Sequence, residues 1–320
     1  MQLEKKHHIS VNIFLVISLI NVLILFLGII DLSFTNLSIN SRITNIYNPD
    51  FYFILIGFPH IFASFLTMFH RGYSQQYGKV LKYKVLPVFL VTLLLLIFSF
   101  GTYKLFFTIL LSIHVAGQAC GFAKFFNIKP SWTFKTWKYL NTILMFLGFL
   151  QMYSKDLLIN FPFAFNWISN LSWVAAIVAS AAAILLLVKP SSTKAKLFLV
   201  LIQIQFIGIT FFSLLGNLFF WGIMLSLFHD FTAFSIYFNH EKNSHEKENY
   251  NFIKILKSPI LNIFIISVLI SCVLAKAFSW LAIPYAMFLF QNIHYMLEGD
   301  IWISGSIHRQ NIFLTGNNEN

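Results

Sequence analysis

About ten runs of apolar residues, each long enough to cross a lipid bilayer, decide what this chain can fold into. Only 10% of its 320 residues are charged and 58% are hydrophobic, which excludes a soluble globular domain. The sequence therefore predicts an all-α, polytopic transmembrane bundle, with residues 1–320 forming a single integral-membrane domain. The runs lie near 11–31, 51–70, 85–101, 103–121, 137–153, 168–188, 195–214, 216–239, 259–279 and 281–299.

The basic residues indicate how these spans are oriented. A net charge of +11 invites a nucleic-acid interpretation, but most Lys and Arg residues occupy every second short loop, for example 71–84 and 124–138. Such loops face the cytoplasm in membrane proteins. The sequence therefore predicts about ten spans with both termini cytoplasmic (N-in/C-in). It predicts a multi-pass protein of the bacterial inner (cytoplasmic) membrane, with the lipid bilayer rather than nucleic acid as its partner.

Five histidines lie inside or at the ends of predicted spans, and four of them carry the main functional hypothesis: His60, His114, His229 and His294. His60, His114 and His229 lie ten to twelve residues before the first charged residue of a cytoplasmic loop. That spacing corresponds to ~15–18 Å, near the middle of a ~30 Å hydrocarbon core, and His294 lies somewhat closer to the edge. Several neutral imidazoles at one depth suit Fe(II), Cu or Zn. The sequence predicts a metal near the bilayer midplane with all four histidines as ligands.

Polar neighbours accompany each predicted ligand. Glu298 is four residues after His294, on the same helical face, and Asp230 directly follows His229. These two carboxylates are the candidate catalytic groups, as a further ligand or as proton carriers. Side chains that hydrogen-bond to ligating histidines fix their orientation. The candidate cofactor-binding residues are Gln118, one turn after His114, and Tyr295.

A plainer interpretation competes with the metal site. Glu298 and Asp300 could simply mark the point where the last predicted span leaves the bilayer. Each histidine could then make an ordinary hydrogen bond between helices.

Three segments that carry these histidines resemble a known family. GFPHIFASF (57–65), SIHVAGQACGF (112–122) and LFHDFTAFSIYFNH (227–240) look like the histidine-bearing segments of the Brp/Blh-type membrane β-carotene 15,15′-dioxygenases. The resemblance implies an integral-membrane dioxygenase whose iron is held by His60, His114 and His229. The chain departs from that family at position 233, where Ala replaces a second histidine. The segment HYMLEGDIW is similar instead to an H-Y-x-x-D/E-G-x-I-W signature of uncharacterised bacterial multi-span proteins.

The leading functional hypothesis is a metal-dependent oxidoreductase, an oxygenase that acts on a lipophilic small molecule with O₂ as co-substrate. Fe(II) is the preferred cofactor, with Cu, Zn or haem as alternatives. A proton-coupled transporter could use the same His and Glu side chains as a relay, so the sequence leaves open whether the chain is an enzyme. A third hypothesis is a haem electron-transfer protein. The spacings His60/His70 and His229/His240 suggest two stacked haems.

Overall fold

The computed structural model describes residues 8–34, 57–68, 73–153, 162–189, 191–245, 259–280, 287–301 and 306–315. Over these ranges the chain is almost entirely helical, as the apolar runs predict. Among the described residues, six helical segments are long and apolar enough to cross a membrane: Asn12–Ser33, Gln75–Phe98, Phe100–Phe126, Phe163–Leu187, Thr193–Leu214 and Phe219–Ser244, the last of which runs through a one-residue break at His229. The same part of the chain has two shorter apolar helices, Phe58–Thr67 and Ile263–Ala277.

In the described part of the chain, two short strands accompany the helices. In chain order the elements are β1 (His8–Ser10), α1 (Asn12–Phe34), α2 (Phe58–Thr67), α3 (Tyr73–Val80), α4 (Leu86–Phe98), α5 (Phe100–Phe122), α6 (Trp132–Tyr153), α7 (Pro162–Leu187), α8 (Thr193–Leu214), α9 (Leu218–Phe228), α10 (Asp230–His245), α11 (Pro259–Trp280), α12 (Met287–Ile301), α13 (Ile307–Gln310) and β2 (Phe313–Thr315). β1 and β2 pair in parallel, with His8 opposite Phe313.

The described helices belong to two compact units. The first unit comprises Met1–Ser10, Asn48–Ser99 and Thr232–Thr315, and it contains α2 to α4, most of α10, and α11 to α13. The second unit comprises Val11–Tyr47, Phe100–Phe231 and Gly316–Asn320, and it contains α1 and α5 to α9.

Buried amides connect the helices of the second unit. The Nε1 of Trp137 on α6 donates to Oε1 of Gln203 on α8 at 2.8 Å. The Nδ2 of Asn21 on α1 donates to Oε1 of Gln205 at 3.0 Å. Because lipid tails are as apolar as the side chains that pack against them, such hydrogen bonds help hold one helix to another inside a bilayer.

The first unit has an apolar core around α2, α10 and α11. Ala63, Phe234, Tyr237 and Ile263 are buried there in one cluster with Leu66, Ala233 and Ile266. Phe62 of α2 also packs against Phe290 of α12, with ring centroids 5.6 Å apart. This packing brings α2, α10 and α12 together around the polar side chains of the candidate site.

The basic segment 71–84, predicted to be a loop, is helical over its described part. α3 is followed by a π-helical turn, Leu81–Val85, which continues into α4. Tyr73 and Tyr77 are buried on one face, whereas Lys79, Lys82 and Lys84 are exposed. An amphipathic helix can therefore carry these lysines and still bury one side.

The predicted span 216–239 is interrupted at His229. α9 ends at Phe228, the N–H of His229 donates to the carbonyl of Leu225 at 2.9 Å, and α10 begins at Asp230. A carboxylate in the first turn of a helix interacts favourably with the helix dipole. The interruption places His229 at a junction of two helices rather than inside one.

Candidate metal centre

His60 and His294 face each other in the first unit, although 234 residues separate them in the chain. Their Nε2 atoms are 3.2 Å apart and their rings are nearly perpendicular, at 84°. His60 lies in the first turns of α2 and is 2% exposed, and His294 on α12 is 0% exposed. The two imidazoles therefore meet edge to edge in the buried interior of this unit.

Glu298 completes this group of side chains. Its Oε2 lies 3.5 Å from Nε2 of His294, four residues earlier on α12. Its Oε1 accepts a hydrogen bond of 2.5 Å from the hydroxyl of Tyr237. Glu298 is 0% exposed, so it is a buried carboxylate and does not mark a solvated helix end.

Asp300, rather than Glu298, lies at the surface end of α12. Both of its oxygens accept hydrogen bonds from Nζ of Lys84, at 2.7 and 3.0 Å. Lys84 is largely exposed, so this pair lies at the surface and contributes little to stability. Two carboxylates only two residues apart thus have different surroundings.

Ser64 contacts Nδ1 of His294, the ring nitrogen that does not face His60. The hydroxyl of Ser64 donates to the carbonyl of Ile61 at 2.6 Å, and a hydroxyl has only one proton to give. With that proton on the carbonyl of Ile61, the oxygen of Ser64 accepts from Nδ1–H of His294, which is 2.8 Å away. In this assignment Nε2 of His294 carries the lone pair beside His60 and Glu298.

Nε2 of His294 thus has two further donor atoms beside it, Nε2 of His60 and Oε2 of Glu298. A proton on Nε2 of His60 makes the 3.2 Å contact between the two imidazoles a hydrogen bond. A metal ion that replaces this proton would bind the same nitrogen atoms. Two histidines and one carboxylate form the ligand set that non-haem Fe(II) oxygenases use, and Zn²⁺ accepts the same donors.

His114 and His229 form a second pair, within the second unit. Their Nε2 atoms are also 3.2 Å apart, with the rings at 79°. Oδ1 of Asp230 lies 3.9 Å from Nε2 of His229. The structure thus brings the predicted ligands together as two pairs, His60 with His294 and His114 with His229. A single metal bound by all four histidines stays a prediction.

The predicted cofactor-binding residues have different surroundings. Nε2 of Gln118 donates to the backbone carbonyl of His229 at 3.3 Å, so this amide supports the helix junction. Tyr295 is buried, with its ring centroid 5.8 Å from that of His294. His70, which the haem hypothesis requires, lies outside the described residues. The cofactor roles of Gln118 and Tyr295 stay predictions.

Ser64 and Tyr237 were missed in the sequence, although both orient a predicted ligand. Helical spacing offered a signal, because Ser64 is four residues after His60 and shares its face of α2. Tyr237 offered none beyond its position in an apolar run. Their contacts become visible only when α2, α10 and α12 are brought together.

A further histidine pair in the first unit was also missed. The rings of His240 and His308 stack, with centroids 4.5 Å apart and an interplanar angle of 22°. Both side chains are fully buried. The sequence places His308 after the last predicted span, beyond the membrane interface and outside the candidate site. Ser306, which caps the short helix α13 by accepting from the N–H of Arg309, was a usable signal for ordered structure there.

Tyr73 lies against this pair. Its hydroxyl accepts from Nδ2 of Asn311 at 2.7 Å and lies 2.8 Å from Nε2 of His240. Burial raises the pKa of Tyr73 to about 12, although hydrogen bonds from Ser244 and Asn311 oppose the shift. Tyr73 is therefore a neutral phenol at physiological pH.

Comparison of the chain with protein-family models, with curated proteins and with solved structures found no match. The resemblance to the Brp/Blh-type dioxygenases stays a prediction from the short segments quoted above. What this chain does has to be inferred from the geometry of its own side chains.

Proposed function

We propose that this chain is a membrane-embedded, metal-dependent oxidoreductase that uses a non-haem Fe(II) ion and O₂ to oxidise a lipophilic small molecule. The observation that supports the proposal is the surroundings of His294, whose Nε2 lies 3.2 Å from Nε2 of His60 and 3.5 Å from Oε2 of Glu298, while its Nδ1 contacts the hydroxyl of Ser64. His60, His294 and Glu298 would hold the ion. The pair His114 and His229 supplies two further candidate ligands.

A ferrous ion held by two histidines and a carboxylate has open positions at which O₂ can be activated. The role of the chain is to prepare those donors. Ser64 keeps the lone pair of His294 available, and Tyr237 binds one oxygen of Glu298 and so leaves the other for the ion. Hydrogen-bonding partners of this kind raise metal affinity and fix ligand orientation.

The surroundings of the group suit an apolar substrate. The ring of Phe65 lies 6.5 Å from that of His294, and the ring of Phe234 lies 6.4 Å from that of His60. Such an aromatic lining excludes water, which strengthens the electrostatic interactions of Glu298 and favours lipophilic molecules. Glu298 in this unit and Asp230 in the other are the candidate proton carriers.

We place the protein in the bacterial inner membrane, with about ten spans and both termini in the cytoplasm. The distribution of Lys and Arg supports this orientation. Reporter fusions after residues 84 and 245 should report a cytoplasmic location. A periplasmic signal from either position would contradict the orientation.

The function has a direct spectroscopic and analytical test. The purified protein should contain about one transition-metal ion per chain and show no Soret absorption, because the donors are paired at hydrogen-bonding distance rather than arranged around a haem. A strong Soret band would favour the haem electron-transfer protein. Metal-free protein that still drives proton-coupled uptake in vesicles would favour the transporter.

A further inference from the structure

Two tyrosines each pair with a histidine beside the stacked imidazoles of the first unit. We call Tyr73, Tyr77, His240 and His308 the tyrosine–histidine cluster. The hydroxyl of Tyr77 lies 2.7 Å from Nδ1 of His308, and that of Tyr73 lies 2.8 Å from Nε2 of His240. All four side chains are buried. None of them belongs to the group around Glu298.

The carbonyl of Ser64 indicates the direction of the hydrogen bond at Tyr77. With the hydroxyl of Thr67 donating to that carbonyl at 2.7 Å, we assign Nε2–H of His308 as the donor to the oxygen of Thr67 at 2.8 Å. Neutral His308 then has a lone pair on Nδ1. The phenol of Tyr77 donates its proton to that lone pair.

The same reasoning applies to Tyr73. Asn311 donates to the phenol oxygen, and we assign the proton of the phenol to its hydrogen bond with Nε2 of His240. In this assignment neutral His240 carries its proton on Nδ1, which lies 3.2 Å from Oε1 of Glu241. Each tyrosine thus donates a hydrogen bond to a nearby imidazole, and Glu241 adds a negative charge close to the stacked rings.

We propose that Tyr77 is a site of one-electron oxidation, with His308 as its proton acceptor and Tyr73–His240 as a second site of the same kind. Tyr77 loses one electron to a one-electron oxidant, which is reduced. The O–H bond of the phenol breaks and the proton moves to Nδ1 of His308. The products are a neutral tyrosyl radical and an imidazolium.

The geometry lowers the cost of this step. Oxidation of a phenol without a base leaves a charged radical cation, which a dry interior disfavours. A base within hydrogen-bonding reach takes the proton as the electron leaves. The resulting positive charge on His308 faces His240, whose Nδ1 contacts Glu241, so the carboxylate stabilises the imidazolium.

The cluster also has a route to the candidate metal centre. Thr67 contacts His308 and Ser64 contacts His294, and these two residues of α2 are three positions apart, about 4.5 Å along the helix axis. In the cell the electron acceptor would be the metal centre after its reaction with O₂, a point that rests on the proposed function.

Photo-oxidation of metal-free protein tests the cluster independently of the metal centre. Chelator-treated protein is mixed with ruthenium tris-bipyridine and an electron acceptor, illuminated and frozen for electron paramagnetic resonance. A tyrosyl radical signal is expected, and Tyr77→Phe should remove most of it. His308→Gln should have the same effect, because the amide keeps a hydrogen-bond acceptor but cannot take up the proton.

Tyr103→Phe is the matched control. Tyr103 is 2% exposed, like Tyr77, but its hydroxyl has no hydrogen-bond partner among the described residues. This variant should retain the wild-type signal, and thermal melting should show that all three variants are folded. The proposal is overturned if wild type gives no tyrosyl signal, or if folded Tyr77→Phe and Tyr103→Phe protein give equal signals.

Discussion

Replacing His294 with alanine is expected to abolish metal retention by the purified protein, from about one ion per chain to background. The imidazole is the central donor, because its Nε2 lies 3.2 Å from Nε2 of His60 and 3.5 Å from Oε2 of Glu298. Alanine offers no electron pair in its place. Elemental analysis of protein prepared in parallel with wild type measures the change.

The same substitution also affects stability. It leaves the hydroxyl of Ser64 without the proton donor it now has, and it opens space in a closely packed interior. The loss of this hydrogen bond alone lowers the free energy of unfolding by about 1–3 kcal/mol. Thermal melts must therefore accompany the metal analysis, and His60→Ala provides a second variant that leaves the Ser64–His294 contact in place.

Asp300→Asn is the matched control for these variants. Asp300 lies on the same helix, but its carboxylate binds Lys84 at the surface, so metal content should be unchanged. Folded His294→Ala protein with wild-type metal content would contradict the account. It would reduce His294 to a histidine that makes a hydrogen bond between helices.

The second large effect is expected from Glu298→Gln. The amide oxygen can still accept from Tyr237, so the fold should survive, but the negative charge beside the two imidazoles is lost. Metal affinity should fall by more than the roughly 10–100-fold that the loss of a supporting hydrogen bond costs. A titration against a competing chelator measures the dissociation constant.

Tyr237→Phe separates the charge of Glu298 from its orientation. This variant keeps the carboxylate and removes only the hydrogen-bond donor to Oε1. Its metal affinity should therefore fall by roughly 10–100-fold and no more. Equal affinity in wild type and Glu298→Gln would show that Glu298 is not a ligand. The remaining histidine pair would then have to be studied as a proton relay.

The helical character of the chain could be predicted because span length and apolar composition are local properties. The helix in segment 71–84 was harder to predict. Its lysines suggest a loop, and only the spacing of Tyr73 and Tyr77 indicates an amphipathic helix. The interruption at His229 could not be predicted, because no Pro or Gly lies next to this residue in the sequence. It is set by tertiary contacts such as that of Gln118 with the carbonyl of His229.

The candidate ligands could be identified from their depth, but their partners could not. His60 pairs with His294 across 234 residues, and His114 pairs with His229 across 115. Neither separation leaves a pattern in a single sequence, because lateral position depends on how helices pack. The same limit explains why His308, which follows the last apolar run, was overlooked although it is fully buried.

Anomalous diffraction at the metal absorption edge tests the central claim most directly. Crystals of the purified protein should show a peak about 2.1 Å from Nε2 of His60, Nε2 of His294 and Oε2 of Glu298. That result would establish the ligand set without assuming an activity. Crystals of metal-supplemented protein with no peak bonded to His294 and Glu298 would contradict it.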